Sequence, residues 1–471
     1  MKSLYSIVAG VVLGASLAAH AADAQKNWPA WRGPTGNGVA PAADPPVEWS
    51  ESNNIKWKVK IPGYGTSTPI VWENQVFILT AVNTGKKAPG APTTAAPAPA
   101  PRAVEGQVAP GKGPGGKGGP KGRGGPGGGG NPFGVQTPTE LHQFTVISYD
   151  RQTGKVLWQK VAREELPHEG HHRDHGFASA SPVTDGQLLF AYFGSRGLFC
   201  YDLQGNLKWQ KDFGDARMKN SFGEGTSPTL HGNTLIIKWD HDGDSFIMAL
   251  DKTTGKELWR KSRDERSGWS TPLVVEHNGR AQVVVNATGK VRSYDLQSGE
   301  VLWEIGGQTD NAIPSPVSAN GMVYLTSGFR GSALQAVKLA GAKGEVAGTS
   351  ALVWSANRDT PYVPSPLLYD GRLYLHKGND AYLSCFDAVS GKAHYADRIE
   401  GPRGIYASPV GAAGRVYVIG RDGTSLVLKN SDRLEVLATN KLDDKFDASA
   451  AAVGKELFLR GQQNLYCIAA K

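Results

Sequence analysis

Cysteine is scarce in this chain of 471 residues, which contains only three. Cys200, Cys385 and Cys467 occur in similar contexts, LFCYD, LSCFD and LYCIA, at one position of a repeat described below. Equivalent positions in separate repeats do not approach within the roughly 7 Å between Cα atoms that a disulfide requires. We therefore predict three buried thiols, and the class of small disulfide-stapled domains is excluded.

Long apolar runs are absent after the first 21 residues, so no later segment is predicted to span a membrane, which takes about 20 apolar residues. Residues 1–21 have the features of a signal peptide: Lys2, an apolar stretch over residues 7–19 and an Ala-His-Ala cleavage site at residues 19–21. We predict a soluble, monomeric protein that is exported to the periplasm or secreted.

An excess of positive charge is lacking over most of the chain, although the formal net charge is +8. The excess is concentrated in residues 83–139, which hold seven basic residues and one glutamate. The nearly neutral remainder gives no electrostatic case for nucleic acid as a partner. Residues 83–139 are also rich in Gly, Pro and Ala, so we predict a disordered insert. The insert is either a basic tether for an anionic surface or a tolerated loop expansion.

What the chain does contain is a repeat, Asp-x-x-Thr-Gly-Lys-x-x-Trp. It occurs at residues 150–158 (DRQTGKVLW), 251–259 (DKTTGKELW) and 295–303 (DLQSGEVLW), with weaker copies at residues 202–209 and 387–395. The Gly suits the positive φ of a hairpin turn, the Asp can accept hydrogen bonds from turn amides, and the Trp can pack between units. Six tryptophans are predicted to be structural: Trp57, Trp158, Trp209, Trp259, Trp303 and Trp354.

A Ser-Pro or Thr-Pro pair opens each unit and gives a second periodic signal. After Pro69 and the insert, the entry prolines from Pro182 to Pro409 recur at intervals of 43 to 50 residues. Each unit contains four short apolar runs bounded by turn residues, which is the period of a β-propeller. We predict an all-β, eight-bladed β-propeller of four-stranded antiparallel blades, with seven blades as the alternative if the degenerate last unit is irregular.

Residues 54–60 carry the Trp of a fourth strand without a preceding unit of their own. We therefore predict that this N-terminal strand closes the last blade and removes an exposed sheet edge. The predicted organisation is a signal peptide at 1–21, an N-terminal segment containing WPAWRGP at 22–53, the propeller at 54–82 and 140–471, and the insert at 83–139.

The repeated motif and the Ser-Pro entries resemble the PQQ-like (pyrroloquinoline quinone repeat) β-propeller family over about residues 28–470. The WPAWRGP segment and residues 269–272 (WSTP) look like a secreted branch of it. The family includes the BamB-type envelope scaffold and quinoprotein alcohol dehydrogenases, which hold PQQ with Ca²⁺ and an adjacent cysteine pair. No two cysteines adjoin here, and no stretch identifies calcium ligands or a catalytic base.

From this resemblance we expect a binding or scaffold protein of the cell envelope, without a cofactor. Its partner would be an envelope protein or an extracellular polymer. The alternative is a PQQ-dependent dehydrogenase of the periplasm with Ca²⁺, so whether the protein is an enzyme stays open. No Gly-x-Ser-x-Gly motif or phosphate-cradling loop occurs, and we predict no catalytic residue.

Candidate site residues fall on one face, because the loops between blades and those between second and third strands end on the same side. Four histidines of the first blade-to-blade loop could bind a transition metal or form a solvated, pH-sensitive loop: His168, His171, His172 and His175. Three carboxylates could bind Ca²⁺ or belong to a polar hairpin: Asp240, Asp242 and Asp244. Five arginines could hold a carboxylate, phosphate or sulfated sugar, or form salt bridges between blades: Arg330, Arg358, Arg403, Arg421 and Arg460.

Overall fold

Eight four-stranded antiparallel blades surround a central axis in the computed structural model, which describes residues 24–89 and 134–470. The predicted eight-bladed propeller is confirmed, and the seven-bladed alternative is wrong. The predicted signal peptide and residues 90–133 of the insert lie outside the described residues. Within the described ranges no helix has both the length and the apolar character needed to cross a membrane.

The first two strands, β1 (Val39–Ala40) and β2 (Ile55–Lys60), precede blade 1 in the chain. Blade 1 consists of β3 (Ile70–Trp72), β4 (Gln75–Lys87), β5 (Glu140–Asp150) and β6 (Val156–Glu165). Blade 2 consists of β7 (Val183–Thr184), β8 (Leu188–Tyr192), β9 (Leu198–Asp202) and β10 (Leu207–Lys211). Blade 3 consists of β11 (Thr229–His231), β12 (Thr234–Trp239), β13 (Phe246–Asp251) and β14 (Glu257–Ser262). Single turns of 3₁₀ helix occur at Gly194–Arg196 and Lys219–Ser221.

Blades 4 to 6 follow the same order from the axis outward. Blade 4 consists of β15 (Leu273–His277), β16 (Arg280–Val285), β17 (Val291–Asp295) and β18 (Val301–Ile305). Blade 5 consists of β19 (Val317–Ala319), β20 (Met322–Ser327), β21 (Ala333–Lys338) and β23 (Leu352–Ala356), and its β22 (Gly344–Glu345) pairs in parallel with β18. Blade 6 consists of β24 (Leu367–Tyr369), β25 (Arg372–His376), β26 (Tyr382–Asp387) and β27 (Ala393–Arg398).

The last two blades recruit strands from the N-terminal part of the chain. Blade 7 consists of β28 (Val410–Ala412), β29 (Arg415–Ile419), β30 (Thr424–Lys429) and β31 (Val436–Lys441), with β1 added in parallel to β28. Blade 8 consists of β32 (Ala451–Val453), β33 (Glu456–Arg460), β34 (Asn464–Ala469) and β2. Since β2 pairs antiparallel with β34, from Ile55 opposite Ile468 to Lys60 opposite Asn464, the predicted closure of the last blade is confirmed.

The root of the insert is more regular than predicted. Strand β4 continues to Lys87, and its last residues pair with β5, with Asn83 opposite His142 and Lys87 opposite Glu140. The prediction of disorder from residue 83 is therefore wrong for residues 83–87. These residues precede the Gly- and Pro-rich stretch of the insert. They still have the alternating side chains of a strand, so they extend the hairpin formed by β4 and β5.

The repeat turn has the same geometry in successive blades. In blade 3, Asp251 Oδ1 accepts hydrogen bonds from the backbone N–H and the hydroxyl of Thr254, both at 2.8 Å. Gly255 has φ 69°, and an added Cβ would stand 2.8 Å from the indole of Trp209 in the preceding blade. The Trp209 Nε1–H in turn donates to the carbonyl of Lys252 at 3.0 Å. The Trp of each such blade thus covers the turn of its neighbour, which therefore requires glycine.

Trp303 is an exception to this contact between blades. The next blade has no Asp-Gly turn, because residues 339–351 there form a longer connection that includes β22. Trp303 is 1% exposed and donates its Nε1–H to Gln282 Oε1 within its own blade at 2.8 Å. Trp303 is therefore buried, but the acceptor of its indole N–H is a side-chain oxygen and not the backbone carbonyl of a neighbouring turn.

The first three strands of the blades supply most of the core. The three cysteines lie on third strands, in blades 2, 6 and 8. Cys200, Cys385 and Cys467 are buried and free, as predicted from their repeat position. Burial raises the pKa of the Cys200 and Cys385 thiols to about 12 and that of Cys467 well above its usual range. The thiols therefore stay protonated at neutral pH and pack as small apolar groups.

Candidate functional site

Eight hydroxyl side chains form a belt around the axis, one from the entry of each blade: Thr68, Ser181, Ser227, Thr271, Ser315, Ser365, Ser408 and Ser449. The backbone N–H of each belt residue from Thr68 to Ser408 donates to the hydroxyl of the following one, at 2.8–3.1 Å. Seven hydrogen bonds thus join neighbouring blades at their inner ends. At the first seven entries the next residue is proline, which has no N–H that would need an acceptor here.

The belt is open between blade 8 and blade 1. The Thr68 hydroxyl is buried there and has no hydrogen-bond partner. The opening coincides with the degenerate entry, where Ala450 replaces the proline. The junction between the two ends of the chain is therefore the one place at which the described belt lacks its hydrogen bond.

The N-terminal segment crosses the axis at the face opposite to the loops. Trp28 is fully buried and exchanges backbone hydrogen bonds with Val71 in the middle of strand β3, both at 2.9 Å. Arg32 reaches the other side of the axis, where its guanidinium donates to the carbonyl oxygens of Pro409 and Pro366 at 3.1 and 2.9 Å. Without a carboxylate partner, burial lowers the pKa of Arg32 to about 9. The segment is thus anchored to blades on both sides of the axis.

Trp31 of this segment separates two cavities. One, of about 520 Å³, lies on the loop face, and the other, of about 740 Å³, lies on the opposite face. Trp31 lines both, so its indole forms the floor of the cavity on the loop face, which we call the axial cavity. Aromatic side chains make much of the remaining wall: Phe222, Trp269, Phe329, Tyr362 and Tyr406.

Two cationic side chains of the axial cavity have no carboxylate partner among the described residues. The Lys219 ammonium donates to Asn311 Oδ1 at 2.9 Å. The Arg330 guanidinium lies 5.2 Å from the centre of the Phe329 ring, which stacks on Tyr362 with ring centres 4.7 Å apart. Neutral hydrogen bonds and ring contacts leave the positive charge of both groups uncompensated, so the cavity attracts anions.

The carboxylates of the same cavity are already engaged. Asp174 Oδ1 accepts from Arg421 Nη2 at 3.0 Å, and Asp447 Oδ1 lies 2.5 Å from Arg421 Nε. The Arg421 guanidinium also lies over the Tyr406 ring, 4.1 Å from its centre. This network joins the first blade-to-blade loop to blades 7 and 8 and holds the pKa of Asp174 below its usual range, although burial alone would raise it.

The four histidines are spread over different partners. His168 Nε2 lies 2.6 Å from the carbonyl of Ala216, and His171 Nδ1 lies 2.8 Å from that of His172. His175 Nδ1 accepts from the backbone N–H of Gly176 at 2.8 Å and lies 2.7 Å from the Ser179 hydroxyl. Burial, with His171 and His172 nearby, lowers the pKa of His175 to about 3, so this ring is neutral at neutral pH. Only His172 and His175 of this set line the axial cavity.

Residues 168–172 also match His-Glu-x-x-His, a zinc motif that requires a helix to place both histidines on one face. Here the segment has no helix. Among the described residues no group of three or more His, Cys, Asp or Glu is arranged to hold a metal ion.

The three carboxylates of the blade 3 loop also lie in different environments. Asp240 is buried and receives two hydrogen bonds from Arg263, at 2.7 and 3.1 Å, with the Lys238 ammonium at 3.5 Å. Asp242 is exposed and accepts from the Ser267 hydroxyl at 2.9 Å, and Asp244 is exposed. The first carboxylate thus belongs to a buried ion cluster, whereas the other two belong to a surface turn.

The five arginines have different environments. Arg330 lines the axial cavity and Arg421 supports its wall, whereas Arg358 and Arg403 are exposed outside the lining. Arg460 is buried and donates to the Ser67 carbonyl at 3.2 Å, and burial lowers its pKa to about 10. Of the five arginines that were predicted to converge on a ligand, Arg330 is the one that lines the cavity. Arg421 instead forms salt bridges between blades, which was the alternative prediction.

A small side pocket of about 50 Å³ adjoins the axial cavity and shares Ser179 and Gly225 with it. Its Glu224 accepts from the Ser195 N–H through both carboxylate oxygens, at 3.0 and 3.1 Å. Burial raises the pKa of Glu224 to about 7, so this carboxyl is largely neutral in mild acid.

Sequence reasoning missed several residues of the axial cavity, notably Trp31, Lys219 and Asn311. The belt had a detectable signal, since a hydroxyl residue precedes every entry proline at the blade period. Lys219 and Asn311 stand in aperiodic loops, and their proximity depends on the closed ring of blades. No local pattern marks them.

A family model described as outer membrane protein assembly factor BamB matches residues 142–393, more than half of the chain. Tetrathionate hydrolase of Acidithiobacillus ferrooxidans is 23% identical over 296 residues, 58% of this chain and 53% of that protein. BamB of Francisella salina is 27% identical over 99 residues, 21% of this chain and 17% of that protein. The matches thus span about half, or less, of the length of these curated relatives.

Solved structures show the same architecture at low identity. BamB from Moraxella catarrhalis superposes with a TM-score of 0.53 at 12% identity, covering 69% of this chain and 93% of that one. The computationally designed Ika8 protein superposes with a TM-score of 0.50 at 14% identity, covering 71% and 93%. These two likenesses concern the fold alone. On the match of the family model over more than half of its length, the chain belongs to the BamB-like family of PQQ-repeat β-propellers.

Proposed function

We propose that this protein binds its partner on the loop face, over and into the axial cavity, as a binding or scaffold protein of the cell envelope. The observation that carries this proposal is the cavity itself, floored by Trp31 and opening where the loops converge. Its volume lies within the roughly 300–1,000 Å³ of small-molecule sites, and loops on a rigid scaffold are where recognition is usually placed. Membership of the BamB-like family supports a partner in the envelope, either a protein or an extracellular polymer.

Capture of envelope components by the purified full chain tests this proposal. A double variant, Phe329→Ala with Tyr362→Ala, removes the stacked pair from the cavity wall, and Asn278→Ala alters a hairpin between first and second strands on the opposite face. We expect the double variant to lose the captured component and Asn278→Ala to retain it. Equal capture by all three proteins would contradict the proposal.

The lining does not fit a calcium-bound quinone. Its two carboxylates, Asp174 and Asp447, are both engaged by Arg421, and the three cysteines stand in three separate blades. We therefore propose that the protein binds its partner without PQQ and Ca²⁺. Calorimetric titration with PQQ, with and without Ca²⁺, should show no calcium-dependent binding. Tight, calcium-dependent binding with turnover of an alcohol would instead support the dehydrogenase alternative.

A second candidate function is recognition of a small inorganic anion. It is favoured by the uncompensated charges of Lys219 and Arg330, and one relative is named for its action on tetrathionate. Titration with tetrathionate, followed by analysis of the sulfur products, tests it. Saturable binding that Arg330→Gln abolishes would support this candidate, and absence of binding would remove it.

A further inference from the structure

We propose that the axial cavity is a binding site for an acidic sugar unit of a saccharide, with the ring over Trp31 and the acid group at Lys219 and Arg330. This inference rests on the proposed function, because it names the ligand chemistry of the same loop face. The acid group is a carboxylate or a sulfate ester, since both present oxyanions to a forked guanidinium.

The belt supplies hydroxyl donors at the lower wall of the cavity. Five of its members border the cavity: Thr68, Ser181, Ser227, Ser408 and Ser449. Four of these accept one backbone N–H each, and across the described residues none of the five donates its own proton to a protein acceptor. A hydroxyl has one donor and two acceptor positions, so each of the four serines retains a donor for a ligand, whereas the Thr68 hydroxyl is enclosed by protein. A ligand rich in hydroxyl groups can satisfy this ring of donors from inside.

The cations stand above the belt, near the mouth of the cavity. Lys219 uses one of its three N–H donors on Asn311, and Arg330 makes a ring contact with Phe329 in place of an ion pair. Asp174 and Asp447 do not compete for these charges, because Arg421 already holds both. An acid group at this level therefore meets two cations without a carboxylate partner, half-buried Lys219 and exposed Arg330, and each can donate a charge-assisted hydrogen bond.

The aromatic surfaces distinguish a sugar from other anions. Trp31 forms the floor, and Trp269 is fixed in the wall by a hydrogen bond from its Nε1–H to the Gly223 carbonyl at 2.7 Å. A bare inorganic oxyanion would leave these ring faces uncovered in a cavity of about 520 Å³. A purely aromatic acid would leave the belt hydroxyls without acceptors, which costs binding energy. A sugar acid offers an apolar ring face and a polar perimeter together.

One of the two cations also has an unfavourable backbone conformation. Asn311 and Arg330, which border the cavity on adjacent loops, both have φ 53°. Left-handed backbone is unfavourable for arginine but is tolerated by asparagine, so the strain lies at Arg330. Arg330 thus holds a strained conformation beside the cavity, as residues at binding sites often do.

Titration of the purified full chain, followed by calorimetry and tryptophan fluorescence, tests the proposal. The probes are trigalacturonate, maltotriose bearing one sulfate ester, unmodified maltotriose and tetrathionate. We expect one of the two acidic trisaccharides to bind at least about tenfold more tightly than maltotriose and tetrathionate, because a hydrogen bond between charged groups exceeds that difference. Arg330→Gln should weaken binding by about tenfold, and Trp31→Phe should reduce the fluorescence change.

Arg358→Gln is the matched control, since Arg358 is an exposed arginine outside the cavity lining and its loss should leave the affinity unchanged. Equal binding of maltotriose, tetrathionate binding as tightly as the acidic trisaccharides, or no binding of any probe would each overturn the proposal. If no probe binds while the Phe329→Ala and Tyr362→Ala variant still loses its captured partner, the sugar site is wrong and the proposed binding function stands.

Discussion

The repeat turns near the outer strands of this propeller and the loops near its axis are held by different kinds of contact. At the repeat turns, one contact recurs in most blades: a Trp covers the Gly of the neighbouring turn, and an Asp holds the turn amides. At the loop end of the axis, beyond the belt, contacts such as the pairing of Arg421 with Asp174, 247 residues away in the chain, occur at one place only. The repeat turns keep neighbouring blades in register, whereas the loop end of the axis presents groups whose charge the fold leaves uncompensated.

The contrast shows where the sequence is constrained by packing and where it is available for recognition. The periodic residues of the repeat turns satisfy one another locally, so their substitution should cost stability and leave binding unchanged. Aperiodic residues of the axial cavity carry strain or unpaired charge, so their substitution should affect binding with little loss of stability, or with a gain.

The largest effect is expected at a repeat turn. Gly255→Ala places a Cβ 2.8 Å from the Trp209 indole at φ 69°, so overpacking adds to backbone strain. We expect a loss of about 3–4 kcal/mol in the free energy of unfolding. Gly279→Ala is the control, because Gly279 has φ 73° with nothing within 4 Å of its Cβ position, and it should lose only about 1 kcal/mol. Equal losses in denaturant titrations would show that the Trp contact carries no weight.

Burial of the Glu224 carboxyl in the side pocket should make the stability of the protein depend on pH. Burial raises the pKa of Glu224 in the folded protein from 4.5 to about 7, so its contribution to stability is full below pH 4.5 and is lost as pH rises through 7. Relative to Glu224→Gln, the native chain should lose about 2 kcal/mol between pH 5 and pH 8. Parallel melting curves of the two proteins across this range would refute the assignment.

The belt offers a matched pair of hydroxyl substitutions. Ser227→Ala removes the acceptor of the Ser181 N–H and should cost about 1–2 kcal/mol, because it leaves a buried donor unsatisfied. Thr68→Val removes a hydroxyl that has no partner, so it should leave the free energy of unfolding unchanged or raise it slightly. If the two variants were equally destabilised, the open junction between blades 8 and 1 would be closed in solution.

The smallest effect, and the one with opposite sign, is expected at Arg330. Arg330→Gly relieves the left-handed backbone at φ 53° and should raise the free energy of unfolding by roughly 0.5–1 kcal/mol. The same change should weaken binding at the axial cavity, since it removes one of the two uncompensated cations. A variant that is less stable than the native chain would remove the argument from strain.

The architecture could be predicted because its determinants are local and repeated. The Trp, Asp and Gly of most turns, and the proline of the first seven entries, recur at the blade period, and the unmatched Trp57 indicated closure by the N-terminal strand. The axial cavity could not be assembled in this way. Its floor comes from Trp31, whose position depends on Arg32 reaching blades at the far end of the chain, and Arg421 takes a partner that no local pattern specifies. The histidine and aspartate clusters were recognisable in sequence, but their side chains turn to separate partners.

Photo-crosslinking tests recognition at the loop face most directly. A photoreactive residue placed at Tyr362, on the cavity wall, is compared in the intact envelope with the same residue placed at Asn278, on the opposite face. A discrete adduct is expected from position 362 and none from position 278. An adduct from position 278 alone would place recognition on the face that the N-terminal segment crosses and would contradict binding at the loop face.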